Sequence, residues 1–356
     1  MRQHAIFNYF TYKGMKNLSN FQHFIGCDVS KDTLDFAIHA RGTDYRQFEH
    51  LQVDNSESGF KKFCKWLGSN KIKLSECVVG MEHTGIYSEG LSQWCHAKGI
   101  AFVMLHPLEV KNASCRGRNK TDKVDAQFIA QHVYTYREEL TESDVEPKVI
   151  NTLRQLYNER RLAVRTRTAY SNQAKTVSDA RVALRIAKTI ERLTQDIKEI
   201  DAAIREEVNA DEAIRENYGL LTSIKGIGLV NAVLTIIATG NFTRFQNARQ
   251  YAKFVCVSPM SRESGSSVRG GCHVSHAGHS EIKSILTEAA RVAIASDPDI
   301  KAYFTRKREQ GKSYGCVMNA VKFKLISRMF AVVKRKKPYV DVNAYLSQNT
   351  TPAASA

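Results

Sequence analysis

His23-Phe24-Ile25-Gly26-Cys27-Asp28 is an apolar run closed by an acid, and a second extended run, Thr33 to Ala40, follows after a short polar break. Two extended runs this close together read as a β-hairpin. A further apolar run, Cys77-Val78-Val79-Gly80-Met81, is also closed by an acid, Glu82, just before a helical stretch from Ile86 to Ala97. In Lys120-Thr121-Asp122-Lys123-Val124-Asp125-Ala126 two aspartates stand three apart where a helix begins. That spacing puts both carboxylates on one helical face. Two strand ends and one helix end thus carry the acids.

Close-packed carboxylates repel one another and are costly to ionise together, so such a cluster is sustained by a bound cation. Oxygen ligands alone favour Mg²⁺ or Mn²⁺ over zinc. Two such ions about 4 Å apart stabilise the attacking and leaving oxygens of a phosphodiester displacement. Singly, each acid has a plainer reading: Asp28 ends a strand, Glu82 is a solvated turn residue, and Asp122 and Asp125 favour a helix dipole. Their joint occurrence in a basic chain is what points to a metal site.

The charge is informative in itself. Lys and Arg number 52 against 36 Asp and Glu in 356 residues, a formal net charge of +16, which favours polyanionic partners, nucleic acid first. No apolar run approaches the length of a membrane span and the start of the chain lacks a continuous apolar signal core, so a cytoplasmic location is expected. The eight cysteines include no C-x-x-C pair, so neither a disulfide framework nor a cysteine-rich zinc module is indicated. Cys272-His273-Val274-Ser275-His276-Ala277-Gly278-His279 contains zinc-ligand residue types, but its spacing matches no standard finger.

Along the chain, residues 1–20 show no periodicity and read as a disordered extension. From 21 to 140 the order is strand, strand, a third strand (Tyr45 to Val53), helix (Ser56 to Leu67), strand (Glu76 to Met81), helix, strand (Ile100 to Leu105) and helix (Asp122 to Tyr134). Early strands followed by alternating helices and strands predict an α/β domain with a mixed sheet. A basic loop with Arg116, Arg118 and Lys120 precedes the last helix and is placed to contact phosphate beside the acids. Residues 147–216 are charged and nearly free of Gly and Pro. Ala183, Ile186, Ile190, Leu193, Ile197, Ile200 and Ile204 recur there as a heptad seam. Two helices packed as an arm and helices pairing between subunits both fit that coiled-coil pattern.

Residues 217–340 read as a mainly helical domain. Ile224-Lys225-Gly226-Ile227-Gly228 sits between helical stretches as in a helix-hairpin-helix. Its glycines either let backbone amides and Lys225 approach phosphate or merely cap a helix. Val257 to Gly271 is polar and glycine-rich, hence either a flexible connection or a loop presenting a nucleophile between Arg262 and Arg269. After a helical run from Ile282 to Ala295, bases interleave with aromatics as far as Lys334-Arg335-Lys336-Lys337, which suggests phosphate contact. Residues 341–356 form a tail.

Together these features resemble the insertion sequence 110 family of bacterial transposases, relatives of the Piv-type DNA invertases, over nearly the whole chain after residue 20. The resemblance rests on Gly26-Cys27-Asp28-Val29-Ser30-Lys31, Glu82-His83-Thr84-Gly85-Ile86-Tyr87 and Lys120 to Ala126 in the first part. In the second part it rests on Ile224 to Gly228, Ala248-Arg249-Gln250-Tyr251-Ala252 and Pro259-Met260-Ser261-Arg262-Glu263-Ser264-Gly265. It implies an RNase H/RuvC-like domain in which Asp28, Glu82, Asp122 and Asp125 are the DEDD metal-binding and catalytic acids. It further implies a separate transposase domain with Ser264 as nucleophile, a homo-oligomer (dimer or tetramer) in which a serine of one subunit meets the acids of another, DNA as substrate, and a bridge RNA as partner. Two departures stand out. Ser275-His276-Ala277-Gly278-His279-Ser280 replaces the family's common Lys and Asn near a Gly, and Ile224-Lys225-Gly226 replaces its frequent apolar-Pro-Gly, leaving that turn less rigid.

The expected activity is cutting and rejoining of DNA, with serine attack leaving an ester that retains the energy for rejoining. A RuvC-like nuclease using water and a non-enzymatic nucleic-acid-binding protein are the rival readings; a covalent protein–DNA product separates the first rival, and Mg²⁺-dependent cleavage the second.

Overall fold

The computed structural model describes residues 17–42, 48–82, 86–105, 121–258, 260–264, 268–273 and 280–340. The chain divides into two compact units, one running to Val145 and taking in Thr243–Phe245, the other comprising Glu146–Phe242 and the chain from Gln246.

The first unit is built on β1 (His23–Val29), β2 (Thr33–Ala40), β3 (Glu49–Asp54), α1 (Glu57–Ser69), β4 (Cys77–Glu82), α2 (Ile86–Lys98), β5 (Ala101–Leu105) and α3 (Asp122–Thr135). The five strands form one sheet in the order β3-β2-β1-β4-β5. β1 pairs antiparallel with β2, and β2 with β3, whereas β1, β4 and β5 run parallel. This is the expected mixed sheet, its hairpin first and its parallel part joined through helices. The third strand, expected over Tyr45 to Val53, is observed at Glu49–Asp54; residues 43–47 lie outside the described residues.

Strand alternation sorts the side chains onto two faces. Ile25, Cys27 and Val29 of β1, with Leu34 and Phe36 of β2 and Val79 and Met81 of β4, join Phe60, Phe63 and Leu67 of α1 and Leu91 of α2 in one core. Phe24, Val78, Ala101 and Val103 look the other way and pack with Ile129 and Val133 of α3. Leu18 is fully buried in that second core, and its amide bonds to the Arg137 carbonyl at 2.9 Å. Leu18 thus belongs to the fold of the first unit although it lies in the stretch read as an extension, because one buried leucine among polar neighbours leaves no periodic trace.

The second unit is helical: α4 (Lys148–Ala174), α5 (Ala180–Ala210), α6 (Glu212–Thr222), α7 (Leu229–Thr239), α8 (Ala248–Phe254), α9 (Ser280–Ser296), α10 (Pro298–Glu309) and α11 (Tyr314–Arg335), with a small hairpin of β6 (Met260–Ser264) and β7 (Val268–His273). α4 and α5 pack along each other as a helical hairpin, tied by Arg160 Nε donating to Asp201 Oδ1 at 2.5 Å. Ile186, Ile197, Ile200 and Ile204 of the seam are buried within this one chain. α7, buried at nearly every position from Ala232 to Ile237, packs against α4, α6 and α9. α11 contributes Val317, Val321, Leu325, Met329 and Val332 along one stripe, the spacing of a core-facing helix.

Among the described residues no helix is long and apolar enough to cross a membrane.

Candidate functional site

Gly26 and Gly80 decide how α3 lies on the sheet. A Cβ at Gly26 would stand 2.0 Å from the carbonyl oxygen of Ala126 and 2.4 Å from the amide nitrogen of Ala130, so the helix backbone rests directly on β1. At Gly80 it would meet a Val133 methyl at 2.3 Å. Phe24 stacks edge-on against Tyr134, with ring centroids 5.2 Å apart. Reading Phe24, Gly26, Asp28 against Tyr134, Ala130 and Ala126, the helix runs antiparallel to the strand and its first turn comes down beside Asp28.

That first turn holds Asp122 and Asp125, started by Thr121, whose hydroxyl accepts from the Val124 amide. Cys27 of β1 is paired with Met81 of parallel β4, so Asp28 and Glu82 follow one another across neighbouring strand ends, about 5 Å apart by the strand spacing. Both share the α3 face with Gly26 and Gly80. All four predicted acids therefore belong to one corner of the first unit.

Their fields meet at Asp28. Its carboxyl is pushed up to about 6, by burial first and then by the negative charges of Asp125, Asp122, Glu82 and Asp35. Among the described residues no three carboxylate, imidazole or thiolate side chains are drawn closely enough together to hold one ion, as mutual repulsion of like charges favours. The donor set is oxygen only and fits a hard divalent cation.

Asp35 is the residue that sequence reasoning missed. It stands opposite Asp28 across the hairpin, is only 3 % exposed, and accepts from His50 Nε2 at 2.8 Å and from Gln52 Nε2 at 3.0 Å. An acid in the middle of an apolar strand, Thr33-Leu34-Asp35-Phe36-Ala37, was the available signal.

Ser264 closes β6 and pairs in register with Val268; Glu263 pairs with Arg269 and Arg262 with Gly270, after an irregularity between Met260 and Arg262. The polar stretch expected to be a connection or loop is thus a β-hairpin whose strands are joined by residues 265–267. Its hydroxyls and glycines carry no hydrophobic alternation, which is why the strands were not visible in sequence. Lys225 lies half-buried in the turn between α6 and α7. Beside it, Gly226 has a φ of +92°, and a Cβ there would stand 2.6 Å from the Ala289 carbonyl oxygen. Close packing on α9 therefore accounts for that glycine. Lys334, Arg335, Lys336 and Lys337 are exposed at the end of α11, and Lys336 pairs with Glu216 at 3.4 Å. Arg116, Arg118, Lys120, His276 and His279 lie outside the described residues.

Two family profiles and several known proteins are similar to this chain. A transposase family profile carrying the DEDD designation matches residues 25–180, and the profile of the transposase IS116/IS110/IS902 family matches residues 218–305. The "Pilin gene-inverting protein" of Moraxella bovis is 26% identical over 324 residues, spanning 89% of this chain and 97% of that protein. Its counterpart in Moraxella lacunata is 25% identical over the same shares. An "Insertion element IS110 uncharacterized 43.6 kDa protein" of Streptomyces coelicolor is 26% identical over 37% of this chain and 32% of its own length.

Proposed function

Because the chain belongs to the IS110 family of transposases, enzymes of DNA strand cleavage and rejoining, we propose that it moves an insertion sequence by site-specific recombination through the acid corner of the first unit and Ser264 of the second. The observation that carries the proposal is the convergence of charge at Asp28, where Asp125, Asp122 and Glu82 all act on one half-buried carboxyl.

Asp28, Glu82, Asp122 and Asp125 would hold Mg²⁺ or Mn²⁺, which when bound supplies charge neutralisation at the phosphate and polarisation of the reacting oxygens. The sheet and α3, seated through Gly26, hold the backbones that carry these acids in one corner, and a bound cation would draw the mutually repelling carboxylates together. Ser264 Oγ attacks phosphorus, the phosphoserine ester replaces one phosphodiester bond, and the released DNA hydroxyl or an incoming one later reverses the exchange without ATP. Arg262, two residues before Ser264, and Arg269 are the hairpin's cations for the phosphate oxygens. Serine and acids belong to different units of the chain, so the resemblance's pairing of subunits, dimer or tetramer, is part of the proposal. A bridge RNA as guide is the remaining part, supported by the resemblance and the basic surface.

The test is to incubate wild type and Ser264→Ala with end-labelled element ends and Mg²⁺, denature, and look for label retained on protein. The adduct is expected with wild type alone. Its formation by the alanine variant moves the nucleophile to another serine. Cleavage without any adduct, indifferent to Ser264, makes water the nucleophile and refutes the recombinase chemistry.

A further inference from the structure

Lys322 of α11 is 5 % exposed, and among the described residues its ammonium makes one hydrogen bond, to Asn319 Oδ1 at 3.2 Å. A lysine carries three donors, and a buried charge is costly unless paired. The charges acting on Lys322 are those of Lys283 and Arg291 on the neighbouring α9, both positive; burial first, and then these cations, lower its pKa to about 8. Arg291 is engaged by Glu288 at 2.6 Å and by the Tyr314 hydroxyl. Among the described residues neither Lys283 nor Lys322 has a carboxylate partner. Cations crowded in this way call for an anion, as the crowded acids of the first unit call for a cation.

The surroundings indicate which anion. Tyr314 is 51 % exposed, stands edge-on to Phe304 at 5.9 Å, and lies eight residues before Lys322, about 12 Å along the helix. Tyr303 has Lys324 over its ring at 4.4 Å. Tyr314 is the exposed ring among these, and an exposed aromatic face beside cations is what a nucleic-acid strand uses, a base stacking while phosphates are neutralised. A free phosphate has no use for the rings.

We propose that the α9–α11 face binds the phosphodiester backbone of a nucleic-acid strand, with Lys322 and Lys283 as anchoring cations and Tyr314 as a stacking surface for an adjacent base. The inference rests on nucleic acid being what this protein handles, and it assigns none of the chemistry to this face.

The full-length protein is titrated, in EDTA, against fluorescein-labelled single-stranded DNA, duplex DNA and RNA of equal length over a range of salt. Lys322→Met keeps the side chain's length and suits a buried slot. It should weaken at least one of the three probes about tenfold and flatten the dependence of log affinity on log salt by about one unit, while Lys322→Arg retains most of the affinity. Tyr314→Ala should weaken the single-stranded probes with the salt slope unchanged. The probe most affected identifies the strand as DNA or RNA. Unchanged affinity and slope for folded Lys322→Met on all three probes overturns the proposal; should that variant fail to fold, the same result for Lys283→Met overturns it. Inorganic phosphate that binds at Lys322, seen as ³¹P line broadening lost in Lys322→Met, yet displaces no oligonucleotide also overturns it. Because divalent metal is absent throughout, failure here leaves the acids and Ser264 untouched, and a joining defect with normal binding points back to them.

Discussion

Gly26→Ala tests whether the seating of α3 on β1 sets the acid corner. The new Cβ would stand 2.0 Å from the Ala126 carbonyl oxygen and 2.4 Å from the Ala130 nitrogen, both backbone atoms, so no side-chain rotation relieves the clash. Since non-bonded heavy atoms need upwards of about 3 Å, α3 has to lift by about 1 Å or more. Overpacking of this kind costs about 1–3 kcal/mol. The lift also carries Asp122 and Asp125 away from Asp28, and a misplacement of about 1 Å in a reacting constellation costs on the order of a hundredfold in rate. Gly80→Ala is the natural comparison, because its Cβ would press on side-chain methyls, Val133 at 2.3 Å and Ile129 at 3.4 Å, rather than on helix backbone. Urea denaturation and strand transfer, measured on both variants, should show Gly26→Ala the worse in each. A Gly26→Ala protein as stable and as active as wild type would refute the idea that close helix approach positions the acids.

Asp28→Asn should abolish joining yet stabilise the metal-free fold near neutral pH. The folded carboxyl, at about 6, keeps a proton that an unfolded aspartate loses near its ordinary value, so stability falls as pH rises between roughly 4 and 6 and is level above. For this partly solvated group the screened penalty is about 1 kcal/mol, read as the difference between wild type and Asp28→Asn in denaturant titrations in EDTA at pH 5 and 7.5. Equal pH dependence in the two proteins would remove Asp28 from the charge cluster. Neutralising Lys334, Arg335 and Lys337 should flatten the salt dependence of nucleic-acid affinity by about one unit for each phosphate these side chains neutralise, measured by anisotropy; an unchanged slope would make the end of α11 a merely solvated surface. In the helical hairpin, Ile197→Asp, at a position 6 % exposed, should cost several kcal/mol of stability, whereas Leu162→Asp and Leu184→Asp, at 67 % and 59 % exposure, should leave stability alone and weaken self-association in sedimentation. Sedimentation unaltered by both leucine changes would place subunit pairing elsewhere.

The first unit was legible because its strands obey period two and its acids stand where that period stops. Asp28 and Glu82 each close an apolar run, and the parallel register of β1 with β4 turns two separate run ends into neighbours. Asp122 and Asp125, three apart, made the start of α3 equally plain, and Thr121 caps it. What stayed hidden depends on contacts between elements distant in sequence. The seam of α5 announces a partner helix but not which one, since a heptad pattern is the same whether the facing helix comes from α4 or from another subunit. β6 and β7 are strands held by their mutual pairing, without the apolar alternation that would mark them. Asp35 passed unremarked in the run Thr33 to Ala40, because its role depends on β3 beside it, which supplies His50 and Gln52 as donors. Its negative charge is one of the four that lift the proton affinity of Asp28. An acid buried in a core strand thereby adds to the field a metal ion would have to balance. Asp35→Asn should accordingly move the carboxyl of Asp28 back toward its ordinary value, as NMR titration of the carboxyl carbons would record, and no such movement would show that Asp35 serves the sheet alone.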